Sequence, residues 1–312
     1  MSNLLDFLTQ AQQSVVISFY IDNLISIFNG EELAESPIAR PMGVCRITGG
    51  LAIATKVGVA YFKKLYLEKD DIFIYRQNFT KHNGMIDCHE IVSLNDRLIF
   101  ANTLFSCLSS PSFEKDFEIV YQPGFIESVV PEDHAHLNGI AKDEKSIRFI
   151  SCFSPTDSPG RKNWRHKPNN GCVWDVQADE PVITNLSIPH SPRFADNKLY
   201  VCESGKGRVI ERHQDQLRAV GLGSFTRGLI VTSDFLIVGT SKIRDKAKNK
   251  SLHRDCLTTN KCGLHLIDRL TLKLIDSHYF EDKQEIFDLQ FCDRNTYIFT
   301  ANSKPFEHLH LL

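Results

Sequence analysis

The side chains best suited to proton transfer are two histidines, His136 and His190, each set in a short polar segment before an apolar run. An imidazole changes charge close to neutral pH, so it can give or take a proton during a reaction. We therefore predict His136 and His190 as candidate catalytic residues. The candidate ligand-binding residues occupy comparable segments elsewhere: His89, Asn138, Arg193, Glu203, Arg227, Lys242, Arg244 and Asp288.

Three interpretations of this set stay open. Imidazole, amide and carboxylate groups suit a divalent metal (Ca, Mn or Zn) in different mixtures, although none of the spacings matches a sharp metal motif such as HExxH. Without a metal, a histidine acts as acid or base while an arginine holds a carboxylate, phosphate or sulfate. The third interpretation is a buried hydrogen-bonded network that only fixes the fold. The cofactor is therefore unknown from the sequence, with a metal as one alternative.

The candidate residues belong to a repeated segment, in which a polar cluster opens a short strand and a turn leads into an apolar strand. The clearest copy runs from Ile188 to Ser204, with its turn at residues 195–197. Further copies begin at Arg40, Asp87, His136, Phe225 and Ile286. A hairpin follows most copies, so one unit has four strands. Units of roughly 40–50 residues with four strands are typical of β-propeller blades.

The repeats predict an all-β fold, a six-bladed β-propeller with four-stranded blades, as a single domain over residues 1–312. The last copy has only its first two strands, while residues 13–30 read as an orphan hairpin after a short helix or frayed start. We expect the N-terminal hairpin to join the C-terminal strand pair and close the ring, which removes exposed sheet edges. A large β-sandwich is the competing fold, but it does not explain unpaired strands at opposite ends of the chain.

A propeller would gather the candidate residues on one face. The innermost strand of each blade lines the central channel, so the loops that enter it and the loops that leave the second strand meet at one mouth. Pockets favour such mouths. The long loops 155–170 and 242–261 leave second strands and are predicted to cover part of the same face. Trp164 in the first is a candidate lid residue, and the basic second loop is a candidate gate for anionic ligands.

Charge and cysteine usage narrow the class of protein. The formal net charge of −2 gives no field that would attract nucleic acid or an anionic membrane. The nine cysteines are scattered and form no CxxC pair, which predicts reduced thiols rather than a disulfide framework. No apolar run approaches the ~18 residues of a membrane helix. We therefore expect a cytoplasmic protein without nucleic-acid or membrane partners.

Six segments together resemble a bacterial family of conserved hypothetical proteins: HLNG (136–139), TDSPG (156–160), PHSPR (189–193), FTRGL (225–229), SKIR (241–244) and EIFD (285–288). The resemblance runs from about Arg40 to Asp288 and implies a propeller-like fold. Some members are joined to sulfotransferase or tetratricopeptide modules, which implies a role in tailoring a peptide, glycan or metabolite. In architecture the chain is also similar to six-bladed gluconolactonases, paraoxonases and strictosidine synthases, but an activity does not follow from a fold.

The leading functional hypothesis is a propeller that binds a small polar, anionic ligand at the mouth of its channel. One alternative is a metal-dependent hydrolase, lactonase or lyase that uses the same pocket. Another is a scaffold whose blade rims hold a partner protein. Whether the chain is an enzyme stays open at this stage.

Overall fold

Six sheets surround a central axis, and the strands within the repeated units are antiparallel neighbours in sequence order. The computed structural model describes residues 3–67, 72–78, 86–112, 114–158, 164, 169–244 and 256–299. Helix α1 (Leu4–Gln10) precedes the first strand and is capped by Asn3, whose side chain accepts the backbone N–H of Asp6 at 2.8 Å. Within the described ranges, none of the helices is long and apolar enough to cross a membrane.

The strands follow the predicted units. Those before the first repeat are β1 (Gln13–Phe19), β2 (Leu24–Phe28) and β3 (Leu33–Pro37). Blade 1 contains β4 (Pro41–Ile47), β5 (Gly50–Thr55), β6 (Gly58–Leu67) and β7 (Ile72–Asn78). Blade 2 contains β8 (Cys88–Leu94), β9 (Arg97–Asn102), β10 (Cys107–Ser110) and β11 (Glu118–Tyr121). Blade 3 contains β12 (Leu137–Lys142), β13 (Ile147–Cys152), β14 (Gly171–Asp175) and β15 (Glu180–Leu186). Blade 4 contains β16 (Pro189–Ala195), β17 (Lys198–Glu203), β18 (Arg208–His213) and β19 (Gln216–Gly221). Blade 5 contains β20 (Phe225–Val231), β21 (Phe235–Ser241), β22 (Gly263–Asp268) and β23 (Leu274–Tyr279), and the last strands are β24 (Ile286–Asp293) and β25 (Thr296–Phe299).

The predicted all-β, six-bladed propeller is confirmed, with one difference in how the ring closes. Blade 6 has the order β24-β1-β2-β3, so three N-terminal strands join one C-terminal strand rather than two joining two. Because β1 pairs with β24 along its whole length, the second position of the blade is already filled. The final strand β25 instead pairs in parallel with β7 at the outer edge of blade 1.

Local sequence explains the hairpins that begin each blade. In blade 4 a two-residue turn connects β16 to β17, with Asp196 and Asn197 at φ of 50° and 58° between the paired residues Ala195 and Lys198. Two successive residues with positive φ define a type I′ turn, whose twist matches that of the flanking strands. Asp and Asn tolerate this backbone region better than other residues with a side chain. The turn predicted at residues 195–197 is therefore present.

The apolar core is divided among the seams between blades. Tyr200 and Cys202 of blade 4, for example, pack with Leu229, Val238 and Ile267 of blade 5, and all five are buried. Comparable clusters occupy the other seams, and the cluster between blades 5 and 6 also includes residues of α1. All nine cysteines are free, and eight are buried. Burial against the neighbouring blade thus stabilises each sheet.

Three charged side chains bridge the central channel, and we call them the central ion triad: Glu90 of β8, Arg193 of β16 and Asp288 of β24. The Arg193 guanidinium pairs with Glu90 through Nη1, and its Nη2 lies 3.1 Å from Asp288 Oδ1. Both carboxylates are almost fully buried, with side-chain exposures of 5% and 4%. Burial alone would lower the pKa of Arg193, but the two carboxylates outweigh it and hold that pKa above its ordinary value. The guanidinium therefore stays charged.

The central ion triad also bonds to the three inner strands that do not carry it. Arg193 Nε donates to Leu229 O of β20 at 2.9 Å. Glu90 Oε2 accepts the N–H of Ile140 on β12 at 2.8 Å, and Asp288 Oδ2 accepts the N–H of Val44 on β4 at 2.9 Å. All six innermost strands are thus connected through three side chains.

Replacing Arg193 with alanine should test this connection. The change leaves Glu90 and Asp288 buried without their cation, and breaking a buried pair in this way typically costs about 3–5 kcal/mol. We expect a loss of that size in the free energy of unfolding, measured by urea denaturation. The control is Arg212→Ala, because the nearest carboxylate oxygen, on exposed Asp215, lies 4.0 Å from Arg212. Equal stability of the two variants would show that the triad does not hold the blades together.

The triad should also make stability depend on pH. Burial raises the pKa of Glu90 to about 7 and raises that of Asp288, and the single guanidinium of Arg193 offsets this only in part. A carboxyl group whose pKa is higher in the folded chain stabilises the fold at low pH, and that contribution is lost as the pH rises through the folded pKa. The stability of the wild type relative to Glu90→Gln should therefore fall as the pH rises from 4.5 through about 7. Urea denaturation across this range measures it, and a flat or rising difference would contradict the prediction.

Candidate ligand site at the channel mouth

Four of the predicted site residues occupy equivalent positions where the inner strands begin. His89, Asn138 and His190 are the second residues of β8, β12 and β16, and Arg227 is the third residue of β20. His136 directly precedes β12, so its side chain joins the same level. We call these five residues the mouth cluster. The structure thus brings together residues that are more than a hundred positions apart in the sequence.

Aromatic rings connect the imidazoles of the mouth cluster. The rings of His89 and His136 are 5.0 Å apart between centroids, and they meet edge to face. Phe153 contacts both His136 and His190, with its ring centroid 4.4 Å from the first and 5.2 Å from the second. Trp164 also contacts His136, at 4.3 Å, and its ring lies 5.2 Å from that of Phe153. Apolar surfaces therefore flank the polar edges of the rings.

Hydrogen bonds assign the protons on His190. Its Nδ1 lies 3.1 Å from Ile188 O, which can only accept, and 2.8 Å from Ser204 Oγ, which donates to Thr226 O at 2.5 Å. Nδ1 is therefore the protonated nitrogen, and Nε2 has no partner among the residues that the structure describes. Burial lowers the pKa of His190 well below its ordinary value, and the charge of Arg227 lowers it further. His190 is a neutral acceptor at pH 7.

His89 repeats the arrangement. Its Nδ1 lies 3.1 Å from Asp87 O and 2.7 Å from Thr103 Oγ1, and that hydroxyl donates to Leu137 O at 2.5 Å. The same logic places a proton on Nδ1 of His89. The imidazoles of blades 2 and 4 thus share one tautomer, because each blade offers its histidine the same pair of a carbonyl and a hydroxyl oxygen.

His136 differs from these two because its Nδ1 faces a carboxylate. The oxygens of Asp133 lie 3.0 and 3.1 Å from Nδ1, and the Asp133 side chain is only 1% exposed. An acceptor with a negative charge holds the proton on Nδ1 and stabilises the ring when it becomes positively charged. This leaves Nε2 as the basic nitrogen of His136.

Asn138 has an unsatisfied hydrogen-bond donor. Its Oδ1 accepts from Ser151 Oγ at 2.7 Å, while its buried Nδ2 has no partner in the described part of the chain. Buried amide groups in folded proteins are almost always bonded to protein, water or ligand. Asn138 therefore offers a donor at the level of the three imidazoles.

Arg227 has more donors than partners. Its side chain is 7% exposed and stacks on Phe287, with Cζ 3.4 Å from the ring centroid. Nη1 donates to Glu285 Oε1 at 3.0 Å, and the same carboxylate takes two further bonds of 2.7 Å from Arg244. Two guanidinium groups thus share one carboxylate. Burial lowers the pKa of Arg227 to about 10, and the charge of Arg244 adds to this effect.

The other predicted site residues are not part of the mouth cluster. Arg193 and Asp288 belong to the central ion triad, next to the mouth cluster along the inner strands. Glu203 is fully buried and is already bonded to Lys206 at 2.8 Å and to Arg208 at 2.6 Å. Lys242 donates to Glu281 O at 2.8 Å at the rim. The predicted gate in loop 242–261 and most of loop 155–170 lie outside the described residues, apart from Trp164 and the loop ends.

Sequence reasoning missed Asp133 and Phe153. Asp133 is three residues before His136, and this DxxH spacing was the available signal. Phe153 follows an apolar strand, and only the meeting of blades 3 and 4 shows its place between two imidazoles. For the metal interpretation, the described ranges contain no group of three His, Cys, Asp or Glu side chains placed to hold an ion.

The sequence of this chain matches one known protein family. A family profile described as "Domain of unknown function (DUF4915)" matches residues 2–298. The chain belongs to the DUF4915 family. This agrees with the sequence-level resemblance to a family of conserved hypothetical proteins. None of the curated proteins compared with this DUF4915 chain matches its sequence.

Solved structures support the fold of this DUF4915 protein. A protein of unknown function from Bacteroides caccae aligns with a TM-score of 0.55 at 15% identity, over 89% of this chain and 97% of its own. A chain of the nidogen/laminin complex aligns with a TM-score of 0.57 at 8% identity, over 89% and 98%. Virginiamycin B lyase from Staphylococcus aureus aligns with a TM-score of 0.46 at 12% identity, over 73% of this chain and 92% of its own. At these identities the similarity shows the fold alone.

Proposed function

We propose that this DUF4915 propeller binds a small polar, anionic ligand at the mouth of its central channel. Arg227 carries the proposal. Its guanidinium is 7% exposed, and among the described residues only its Nη1 is bonded, to a carboxylate that Arg244 also uses. A buried cation is costly unless it is paired, so an anion that bonded Arg227 would be held strongly.

The rest of the mouth cluster suits a ligand that has both donors and acceptors. Asn138 Nδ2 offers a proton, whereas the neutral His190 offers a lone pair on Nε2. Phe153, Phe287 and Trp164 supply apolar walls around these groups. Few polar groups set among aromatic side chains are typical of small-molecule sites.

The central ion triad closes the channel beside this cluster. Glu90 directly follows His89 on β8, and Asp288 directly follows Phe287 on β24. Arg193 bonds to both carboxylates across the axis. A ligand at the mouth cluster would therefore enter from the face where the inner strands begin. The eight buried free thiols also fit the reducing cytoplasm that we propose as the location. A role in tailoring a peptide, glycan or metabolite belongs to the same proposal.

Binding of anions should depend on Arg227. We expect at least one compound in a panel of 2-oxo acids, hydroxy acids, phosphate esters and sulfate esters to raise the melting temperature of the wild type. A ligand at about 100 times its Kd stabilises a protein by roughly 2.7 kcal/mol. Arg227→Gln should lose this shift, because the substitution removes the cation and keeps a side chain of similar length.

The matched control is Arg212→Gln, on the third strand of blade 4, which should keep the shift. Isothermal titration calorimetry on both variants separates a lost interaction from a lower starting stability. Equal stabilisation of wild type and Arg227→Gln, or a panel in which no anion binds the wild type, would contradict the proposal.

A further inference from the structure

The three histidines of the mouth cluster differ in what their Nδ1 atoms bond to. His89 and His190 donate their Nδ1 protons to hydroxyl and carbonyl oxygens, which carry no charge. His136 instead donates to a carboxylate, that of buried Asp133. A ring backed by a carboxylate gains most from becoming an imidazolium. The three histidines are therefore not equivalent, and the carboxylate contact singles out His136 as the candidate base.

The surroundings of His136 also favour proton transfer. Phe153 and Trp164 pack against the ring, and its side chain is 13% exposed. Asn138 lies two residues after His136, on β12, with an unused donor, and the charge of Arg227 acts on His190 of the same cluster. Donors fixed in advance stabilise negative charge that develops when a proton leaves. Base and donors thus all belong to the mouth cluster.

We propose that the site catalyses proton abstraction from carbon next to a carbonyl group of an anionic substrate, with 2-oxo acids as the substrate class. His136 Nε2 takes the proton and Asp133 is its positioning residue. The C–H bond breaks as the Nε2–H bond forms, and the electron pair of the C–H bond moves to the carbonyl oxygen to give an enolate. Asn138 and Arg227 donate to that oxygen and to the substrate carboxylate. The proton then returns from Nε2 to carbon, so the cycle balances without an oxidant or further reactant. This inference rests on the proposed anion site.

Hydrogen–deuterium exchange tests the proton abstraction by itself, because exchange requires no leaving group. Pyruvate, 2-oxobutanoate, 2-oxoglutarate and phenylpyruvate are incubated with the protein in D₂O, and loss of the signal of the proton next to the carbonyl is followed by NMR. We expect the wild type to accelerate exchange for at least one of them. His136→Gln should slow that exchange about 100-fold or more, in the range for loss of a general base. His213→Gln, at an exposed position on β18, is the matched control and should exchange at the wild-type rate.

Binding is measured on the same samples by calorimetry, which separates the two proposals. A 2-oxo acid that binds in an Arg227-dependent way but exchanges no faster than in buffer, or equally fast with His136→Gln, refutes the base and leaves the anion site standing. If other anions bind but none of the four 2-oxo acids does, the substrate class is refuted. If no anion binds, both proposals fail.

Asp133 needs a readout that folding alone would not move. In protein labelled with ¹⁵N-histidine, the ring nitrogen shifts report which nitrogen carries the proton. We expect His136 to carry it on Nδ1 in the wild type and to shift toward the Nε2–H tautomer in Asp133→Asn, with slower exchange. A wild-type His136 that is protonated on Nε2 when neutral, or an Asp133→Asn variant with unchanged tautomer and exchange, would overturn the assignment.

Discussion

The ion triad across the channel is the contact on which the rest of the ring depends. A propeller has no chain crossing its axis, so only side chains can connect blades that are not neighbours. Arg193 makes that connection to blades 2 and 6, and its carboxylate partners extend it to blades 1 and 3. Because both carboxylates are buried against one guanidinium, the arrangement is stable only as a unit. The glycine at position 43 follows from this closeness, since a Cβ there would lie 2.7 Å from Glu90 Cα.

The same closeness shapes the site beside the triad. Inner strands that approach each other leave room for few side chains at the mouth, and these are the imidazoles, the amide and the guanidinium of the mouth cluster. Repeated backbone bonds orient His89 and His190 alike, whereas the local DxxH segment gives His136 a different partner. A symmetric scaffold thus carries an asymmetric set of groups, and the asymmetry is where chemistry can reside.

Electrostatics distinguishes the two levels of the channel. The triad places one positive group against two negative ones, so burial favours a retained proton on a carboxyl. At the mouth, Arg227 and Arg244 share the one carboxylate of Glu285, which favours an added anion beside Arg227. Burial lowers the pKa of His190, and the positive charge of Arg227 lowers it further. Burial is thus the main reason that this ring is neutral, and the guanidinium that would attract a ligand adds to the effect.

The sequence alone determined the architecture, because hairpin turns such as Asp196-Asn197 and apolar strand pairs recur along the chain and local chemistry dictates both. It also determined which face would hold the polar residues. Only the tertiary structure decided which of them meet: Arg193, Asp288 and Glu203 are as polar as His136 and Asn138, yet they are consumed by pairing within the fold. It also decided how the ring closes, since β1 and the last strand compete for the same place beside β24. Pairing across distant blades depends on register and burial, which a single strand's residues do not encode.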